Sequence, residues 1–364
     1  MNLERWLALS AILLVGCSEA EVASDVPLAN MPTLQRMGVE LPDSLVPEFA
    51  AGIGVSTGGE VAFRLDRRPG PPVFVVVDSA GNLVGQARNS GQGPLELNQA
   101  INLEFVTAGV VAVNLEQLRA VMYDRSVRPR SMVRLPIGSR LAKLAHDSLD
   151  VYLGPANDGP MLVRVPLDRA DTFRVLLGPE DSAFARASRS LRAFEIDGPP
   201  VSTWSGGVVV GDPMQDRLLF YDDLGRLVDS VQRSTEPRLR TERELERDRE
   251  VWESRKFFRG PDGKPMIPPQ VARKLDSLDV EVLPTFSRAG LQRDGDGRIW
   301  VIREENDSAF ADVYRDTELL GRVGLECPSA DRSISIAGDF FAQLCPVTDH
   351  DWREWELQLF RIEG

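Results

Sequence analysis

The stretch GGVVVGDPMQDRLLFYDDLGRLVDSV, residues 206–231, decides the fold of this chain. Its apolar runs are short, rich in Val, Leu, Phe and Tyr, and bounded by Gly, Pro or Asp, a pattern that indicates β-strands. Asp222 and Gly225 suit a tight hairpin, because Asp caps its own turn and Gly adopts positive φ without steric cost. The stretch therefore predicts strands that are joined by tight turns.

Five further segments repeat this pattern, over residues 58–89, 109–135, 149–178, 297–325 and 338–363. An aspartate marks the turn between the third and fourth strands of the first four units: Asp78, Asp124, Asp168 and Asp222. Units of about 40 to 50 residues with four strands each are typical of the blades of a β-propeller. The sequence predicts an all-β, six-bladed β-propeller, and a two-domain β-sandwich is the alternative.

Residues from about 234 to 284 interrupt the repeat between blades 4 and 5. The run TERELERDREVWESRKFF, residues 241–258, is rich in Glu and Arg, and Thr241 with Glu244 forms a capping box, which predicts the start of a helix. Two interpretations of this helical insertion stay open. It is either a solvated helix or a lid or docking arm in which Trp252, Phe257 and Phe258 pack against another surface.

The N-terminal residues MNLERWLALSAILLVGC predict an exported lipoprotein. The apolar run from Trp6 to Val15 is shorter than the roughly 20 residues that span a bilayer, so it suits a signal peptide. Small residues before Cys17 resemble the lipobox of bacterial lipoproteins, which implies removal of residues 1–16 and lipid on Cys17. An ordinary cleaved signal or an uncleaved anchor is the alternative. Ser18, the second residue of the processed chain, favours the outer membrane. Residues 17–34 predict a flexible tether, and residues 35–364 predict the propeller.

Composition restricts the partners and the compartment. Hydrophobic residues make up 43% of the chain, and the net charge of −13 argues against nucleic acid and against electrostatic adhesion to anionic lipid. After lipidation of Cys17, Cys327 and Cys345 remain as an even pair, which predicts a disulfide in an oxidising compartment, with two buried thiols as the alternative. Two histidines in the whole chain make a zinc site of Cys/His type improbable.

Two segments carry a family resemblance. RNSGQGPLEL, residues 88–97, resembles the G-x-G-P-G-E-F segment of bacterial six-bladed β-propeller lipoproteins, relatives of the NHL and TolB-like propellers, with Leu95 and Leu97 in place of Gly and Phe. RDGDGRIWV, residues 293–301, followed by LLG, residues 319–321, resembles a late blade of that family, with Arg315 where the turn aspartate is expected. The resemblance implies a fold and a cell-envelope location, and it implies no reaction.

Candidate metal ligands are Glu60, Asn114, Asp212, Asn306 and Asp307, because a hydrolytic propeller holds a divalent cation at the mouth of its channel with such residues. DGDG, residues 294–297, lacks the further ligands of a calcium loop and predicts a β-turn. The sequence predicts no catalytic residue and no cofactor. We expect a lipid-anchored envelope module that binds a protein, peptide or glycan. The alternative is an envelope enzyme, a metal-dependent lactonase, lyase or hydrolase, with its site at the channel mouth.

Overall fold

The computed structural model of the chain describes residues 31–47, 52–65, 72–100, 102–156, 159–169, 172–190, 198–233, 238–239, 241–242, 245–246, 282–283, 285–286, 290–305, 308–327, 333–348 and 351–364. Six four-stranded antiparallel sheets follow one another along these ranges, each with its strands in chain order except the last. The predicted six-bladed β-propeller is confirmed.

The strands fall into blades as follows. β1 (Thr33–Arg36) belongs to the last blade. Blade 1 consists of β2 (Gly54–Val55), β3 (Val61–Phe63), β4 (Phe74–Val77) and β5 (Leu83–Ala87). Blade 2 consists of β6 (Asn102–Val106), β7 (Gly109–Asn114), β8 (Arg119–Asp124) and β9 (Pro129–Arg134). Blade 3 consists of β10 (Ser139–Ala145), β11 (Ser148–Ala156), β12 (Gly159–Pro166) and β13 (Arg174–Leu177).

The second half of the ring continues the same order. Blade 4 consists of β14 (Val201–Trp204), β15 (Gly207–Asp212), β16 (Arg217–Asp222) and β17 (Leu227–Gln232). β18 (Arg238–Leu239) and β19 (Val282–Leu283) then pair only with each other among the described residues. Blade 5 consists of β20 (Leu291–Arg293), β21 (Ile299–Glu305), β22 (Ser308–Arg315) and β23 (Glu318–Leu325). Blade 6 consists of β24 (Ser333–Ala337), β25 (Phe340–Thr348), β26 (Asp351–Glu363) and β1.

The first strand of every blade lines the centre of the ring. β2, β6, β10, β14, β20 and β24 contact one another in this order, and β24 contacts β2, so the six strands form a closed ring. The ring is closed by hydrogen bonds between strands from opposite ends of the chain. β1 pairs antiparallel with β26, with Thr33 opposite Glu363 and Arg36 opposite Phe360. The N-terminal strand thus completes the blade that the C-terminal strands begin.

An antiparallel meander divides the loops between two faces of the ring. One face carries the turns between strands 1 and 2 and between strands 3 and 4 of each blade, and we call it the turn face. The other carries the turns between strands 2 and 3 and the connections between blades, which we call the connection face. The predicted insertion leaves and re-enters on the connection face, since it follows β17 and precedes β20.

The 3–4 turns show why the sequence repeats aspartate. In Asp78, Asp124 and Asp222 one carboxylate oxygen accepts hydrogen bonds from the backbone N–H groups two and four residues further on, at 2.9 to 3.0 Å. A register shift that indicates a β-bulge precedes each of these turns. Asp168 lies in the equivalent connection of blade 3, but that connection is longer, because β12 ends at Pro166 and β13 begins at Arg174.

The core consists of apolar layers between adjacent blades. Phe74 of blade 1 and Tyr123 of blade 2 meet edge to face with ring centroids 4.9 Å apart, and Trp204 meets Phe220 within blade 4 at 5.4 Å. All four side chains are apolar or aromatic residues of strands, so alternation along each strand directs them into these layers. Each blade therefore depends on its neighbour for much of its buried surface.

A short helix that the sequence did not predict lies between blades 3 and 4. α1 (Ser182–Ser190) begins after Asp181, whose carboxylate oxygen accepts the N–H of Phe184 at 2.8 Å and the hydroxyl of Tyr221 at 3.0 Å. This N-cap stabilises the first turn and joins α1 to blade 4. In the sequence, no local feature distinguishes Asp181 from the other loop aspartates.

Most of the predicted insertion, including Glu244, Trp252, Phe257 and Phe258, lies outside the described residues. At its start the N–H of Leu245 donates to the carbonyl of Thr241 at 3.1 Å, which is one helical turn where the sequence predicts a helix. At its base β18 pairs antiparallel with β19, Arg238 opposite Leu283. This ladder brings the two ends of the insertion together.

The N-terminal predictions concern residues outside the described ranges, and Cys17 is one of them. β1 begins at Thr33, so residues 33 and 34, the last two of the predicted tether, belong to a strand. Among the helices of the described ranges, none combines the length and apolar character that crossing a membrane requires.

Candidate functional site

An open groove with a volume of about 470 Å³ lies on the turn face, at the channel mouth between blades 1 and 2. Its apolar wall consists of Val76, Phe105, Val106, Val110 and Val127. Its polar rim includes Ser56, Glu60, Thr107, Asp124, Arg125 and His146. This volume falls within the range of roughly 300 to 1,000 Å³ that is usual for small-ligand sites. The groove can hold a small molecule or a short segment of a polymer.

The 1–2 turn of blade 1 forms one side of the groove and is tightly fixed. The Ser56 hydroxyl oxygen accepts the backbone N–H groups of Gly58 at 3.2 Å and Glu60 at 2.9 Å. Gly59 has a φ of 83°, and a Cβ atom there would lie 2.9 Å from the ring of Phe340. Glycine is therefore required for this turn to pack against blade 6, and the backbone of Glu60 is held at the rim.

The opposite side carries paired charges. The Arg125 guanidinium donates to the carbonyl of Thr107 at 3.2 Å through Nη2, which joins the 3–4 turn of blade 2 to its 1–2 turn. The neighbouring Asp124 accepts the Arg128 backbone N–H, which is the main reason that the pKa of this carboxyl lies below its ordinary value. The Asp124 carboxylate is anionic at neutral pH and pairs with Arg130, whose Nη2 lies 2.5 Å from Asp124 Oδ2.

Polar side chains of three inner strands meet at the centre of the ring. Lys143 Nζ of β10 lies 3.0 Å from Glu104 Oε1 of β6 and donates to Gln292 Oε1 of β20 at 3.1 Å. These three side chains therefore join the inner strands of blades 2, 3 and 5. Gln292 is buried, and the side chains of Lys143 and Glu104 are 22% and 14% exposed. This polar cluster is not part of the groove lining.

The five predicted metal ligands do not come together. Glu60 precedes β3 on the turn face, whereas Asn114 and Asp212 end β7 and β15 on the connection face. Asn306 and Asp307 lie outside the described residues. Asn114 is occupied by its own turn, since its Oδ1 accepts the Gln117 N–H and its Nδ2 donates to the Gln99 carbonyl, both at 2.8 Å. Within the described ranges, no three His, Cys, Asp or Glu side chains are placed to hold a metal ion.

Asp212 is the exception among these candidates in having an unused oxygen. It is only 2% exposed, and Oδ1 has no hydrogen-bond partner among the described residues. Burial raises the pKa of this carboxyl above its ordinary value, and the backbone N–H groups of Gln215 and Met214 offset part of that effect. The Asp212 side chain is a buried polar group at the connection-face end of β15, away from the groove.

The predicted β-turn at residues 294–297 is confirmed. The Gly297 N–H donates to the Asp294 carbonyl at 3.1 Å. Asp294 Oδ1 accepts the N–H groups of Asp296 and Arg298, and Oδ2 accepts Arg298 Nε at 2.6 Å and Trp300 Nε1 at 2.8 Å. Its carboxylate is therefore fully used in holding the turn.

A buried ionic network fixes the base of the insertion. The Arg303 guanidinium lies 2.5 Å from Asp216 and 2.6 Å from Asp312, and all three side chains are less than 5% exposed. Asp216 Oδ1 also accepts the Thr285 hydroxyl at 3.3 Å, while the Arg233 N–H donates to the Asp216 carbonyl at 3.1 Å. Arg233 and Thr285 flank the insertion on either side. Asp216 thus joins both of its ends to blade 5.

The segment RNSGQGPLEL, which carries the family resemblance, forms the connection from blade 1 to blade 2. Leu97 is fully buried, and the Leu97 N–H donates to the Asn89 carbonyl at 3.1 Å. Asn89 Oδ1 accepts the Tyr123 hydroxyl at 3.1 Å, and Gln117 Nε2 donates to the Gly91 carbonyl at 3.0 Å. These contacts hold the connection against blade 2, so its role here is structural.

Exposed apolar side chains are distributed unevenly over the ring. Twelve large ones are exposed among the described residues, and eight of these lie in a fourth strand or in the 3–4 connection before it. We call these eight the apolar rim: Leu83, Val84, Phe173, Val175, Leu224, Leu227, Val228 and Leu319. The other four, Val46, Ile137, Leu239 and Val347, lie toward the connection face.

Glu60 is a groove residue that the sequence offered as a candidate ligand, whereas the other groove residues carry no local signal of a site in the sequence. Phe105, Thr107 and Arg125 belong to strands and turns that look like those of every other blade, and a repeat pattern does not show which turns meet at a mouth. His146 is an exposed turn residue with a φ of 57° that also lines the groove. The ring order of the inner strands shows which of these turns lie next to one another.

The two remaining cysteines are both buried, Cys327 after β23 and Cys345 within β25. Cys345 Sγ lies 3.4 Å from Gln358 Oε1. The predicted Cys327–Cys345 disulfide stays a prediction.

Comparison with solved structures supports the fold. A Bacteroides fragilis protein named for its predicted export matches 93% of this chain and 98% of its own length, with a TM-score of 0.53 and 12% identity. A member of the DUF4221 family from Bacteroides vulgatus matches 92% of this chain and 99% of its own, with a TM-score of 0.51 and 8% identity. No protein-family model and no curated protein sequence matches the chain. At these identities, the likeness shows that the chain shares the propeller architecture.

Proposed function

We propose that this protein is an exported lipoprotein, held on the outer membrane by lipid on Cys17, whose propeller binds a peptide or glycan segment in the groove between blades 1 and 2. The groove carries this proposal, because it combines an apolar wall with a rim that holds both an anionic and a cationic side chain. A cell-envelope ligand that has an apolar side group and polar or charged neighbours matches such a lining. The N-terminal sequence supports the location.

Capping the groove tests the binding site. Thr107 is exposed on the rim, so Thr107→Trp fills the groove without removing a core side chain. We expect the detergent-solubilised, lipidated variant to lose at least about tenfold in affinity for the ligand that the unaltered protein captures from peptide and glycan arrays. Ser205→Trp is the matched control, since Ser205 is the equivalent exposed residue in the 1–2 turn of blade 4 and does not line the groove. Equal affinity of the two variants would contradict the proposal.

Metal content and lipidation test the other parts. Stoichiometric calcium or zinc in the purified protein would favour the envelope enzyme over the binding module. Growth with radiolabelled palmitate should label the unaltered protein, and Cys17→Ala should abolish the label. An unlabelled wild-type protein would contradict the anchor and leave the groove to be judged by the capping variants.

A further inference from the structure

The N-terminal segment enters the ring on the same face as the apolar rim. β1 starts at Thr33, which pairs with Glu363, and the N–H of the adjacent Ile362 donates to the carbonyl of Asp339 in the 1–2 turn of blade 6 at 2.8 Å. The segment that precedes β1 therefore leaves the ring on the turn face. The connection face, with the base of the insertion, lies on the opposite side.

The length of this segment limits how far the ring can move from the anchor. Fifteen residues separate Cys17 from Thr33, and a coil of that length spans roughly 20 Å. A tether of this length that leaves from the turn face holds that face toward the bilayer. For the connection face to meet the membrane, the same residues would have to pass around the outside of a blade.

We propose that the ring lies on the membrane through its turn face, with the apolar rim in contact with the phospholipid surface. This inference rests on the proposed lipid anchor. Leu224 is 70% exposed, Phe173 53% and Val228 51%, and five of the eight side chains of the apolar rim lie on the adjacent blades 3 and 4. Exposed apolar side chains grouped in this way are typical of a membrane or protein contact. Contact with lipid removes them from water, and the covalent lipid supplies the attachment while the rim sets the orientation.

The rim carries charges of both signs, with the exposed Asp223, Asp316 and Glu318 beside apolar positions, and such a mixture fits a zwitterionic surface. Where blade 2 interrupts the apolar positions, its 3–4 turn and fourth strand carry the exposed Arg125, Arg128 and Arg130. Long arginine side chains can keep their guanidinium groups at the level of phosphate groups while the apolar residues lie deeper. The net charge of −13 opposes binding to a strongly anionic surface, so we expect phosphatidylcholine or phosphatidylethanolamine to be sufficient.

This orientation also narrows the ligand of the groove. The groove opens on the turn face, the side that meets the membrane. Its ligand would therefore be a molecule presented at the lipid surface, such as a membrane-anchored peptide or glycan segment. The base of the insertion, β18 and β19, would lie on the side away from the membrane.

Fluorescence quenching in vesicles tests the orientation. The full-length lipidated protein is reconstituted on phosphatidylcholine vesicles that contain spin-labelled lipid, with an environment-sensitive dye on Leu224→Cys or on Ile137→Cys. Ile137 is the matched control, because it is 90% exposed and lies on the connection face. Protein without an added cysteine gives the background from the buried Cys327 and Cys345. We expect several-fold stronger quenching at position 224 than at position 137.

Three other results would overturn the proposal. Equal or absent quenching at position 224, in protein that sediments with the vesicles, would show that the rim stays in water. A blue shift at position 224 without quenching by spin-labelled lipid would show that a second copy or another protein covers the rim. Protein that does not sediment with vesicles would overturn the lipid anchor first, and the docking that depends on it.

Discussion

At the scale of single residues, the same side chain has opposite consequences in different positions of this ring. The aspartates of the 3–4 turns accept two backbone N–H groups each, and this lowers the pKa of Asp124 and Asp222. The pKa of Asp78 is lowered mainly by the side-chain amide of Asn82 and then by the backbone N–H groups. Asp212 ends a strand inside the wall of the ring, and burial raises its pKa. The first group stabilises the fold as carboxylates, whereas the ionised form of Asp212 destabilises it.

Replacement of Asp212 tests this assignment. A folded-state pKa above the unfolded value of about 3.9 means that the free energy of unfolding falls as pH rises through the interval between the two values. Asp212→Asn keeps the shape and the acceptor oxygen without the charge. We therefore expect the variant to be more stable than the unaltered protein at pH 7, and the difference to narrow at pH 4. Urea midpoints at the two pH values measure this.

Asp229→Asn is the control, because Asp229 is exposed on β17 of the same blade and its charge is solvated. This variant should show no comparable change between pH 4 and pH 7. If Asp212→Asn is less stable than the unaltered protein at pH 7, the carboxylate is stabilised by a favourable interaction and the assignment is wrong.

The buried network at the insertion gives the second prediction at this scale. Arg303→Met removes the cation that lies between Asp216 and Asp312 and leaves two buried carboxylates without it. Removing one partner of a buried pair costs about 3 to 5 kcal/mol. Arg322 and Arg233 still lie within 3.0 to 4.0 Å of these carboxylates, so we expect a loss in the free energy of unfolding at the lower end, about 3 kcal/mol. Arg226→Met breaks an ion pair in which the arginine is 73% exposed, and we expect little change. Similar losses in the two variants would show that burial is not decisive here.

At the scale of elements, the strands could be predicted and the helices only in part. Strands were visible because Val, Leu, Phe and Tyr runs recur between turn residues, as in residues 206–231. α1 was not visible, because its nine residues lie between blades and depend on the contacts of Asp181 with Phe184 and Tyr221. The groove could not be predicted either, since it requires the ring order of turns that lie far apart in sequence.

Excision of the insertion is the prediction for this scale. Replacing residues 240–281 by a Gly-Ser pair leaves β18 and β19 to be joined directly, and leaves Arg233 and Thr285 on Asp216. We expect the ring to fold with a melting temperature within about 5 °C of the unaltered protein. Ligand binding in the groove should persist, because the groove lies on the opposite face. Thermal unfolding followed by circular dichroism checks the first expectation, and a marked drop would show that the insertion supports the ring.

At the scale of the whole molecule, closure was the feature that the sequence concealed. Residues 33–36 read TLQR, with one apolar residue, and their partner strand lies at the far end of the chain. Nothing local distinguishes such a segment from the tether before it. The number of blades was predictable because it repeats along the chain, whereas the pairing that closes the ring occurs once.

The closure strand can be tested by a matched pair of substitutions. Leu34 packs against the core layer that contains Ile362 and Leu320, while the adjacent Gln35 is exposed. Leu34→Asp should detach β1 and lower the free energy of unfolding by roughly 2 to 4 kcal/mol, and amide exchange in β26 should accelerate. Gln35→Asp should leave both measurements unchanged. Equal exchange rates in the two variants would show that the pairing of β1 does not hold blade 6.

The pairing of β1 with β26 also has a consequence for biogenesis. During synthesis the N-terminal strand is made first, yet its partner follows only after more than three hundred further residues. Until then the nascent propeller has open strand edges at both ends of its arc, and unpaired edges favour aggregation and proteolysis. A chain that stops short cannot cover these edges. Completion of the ring is therefore a built-in signal that proteases and chaperones can use to separate finished molecules from truncated ones.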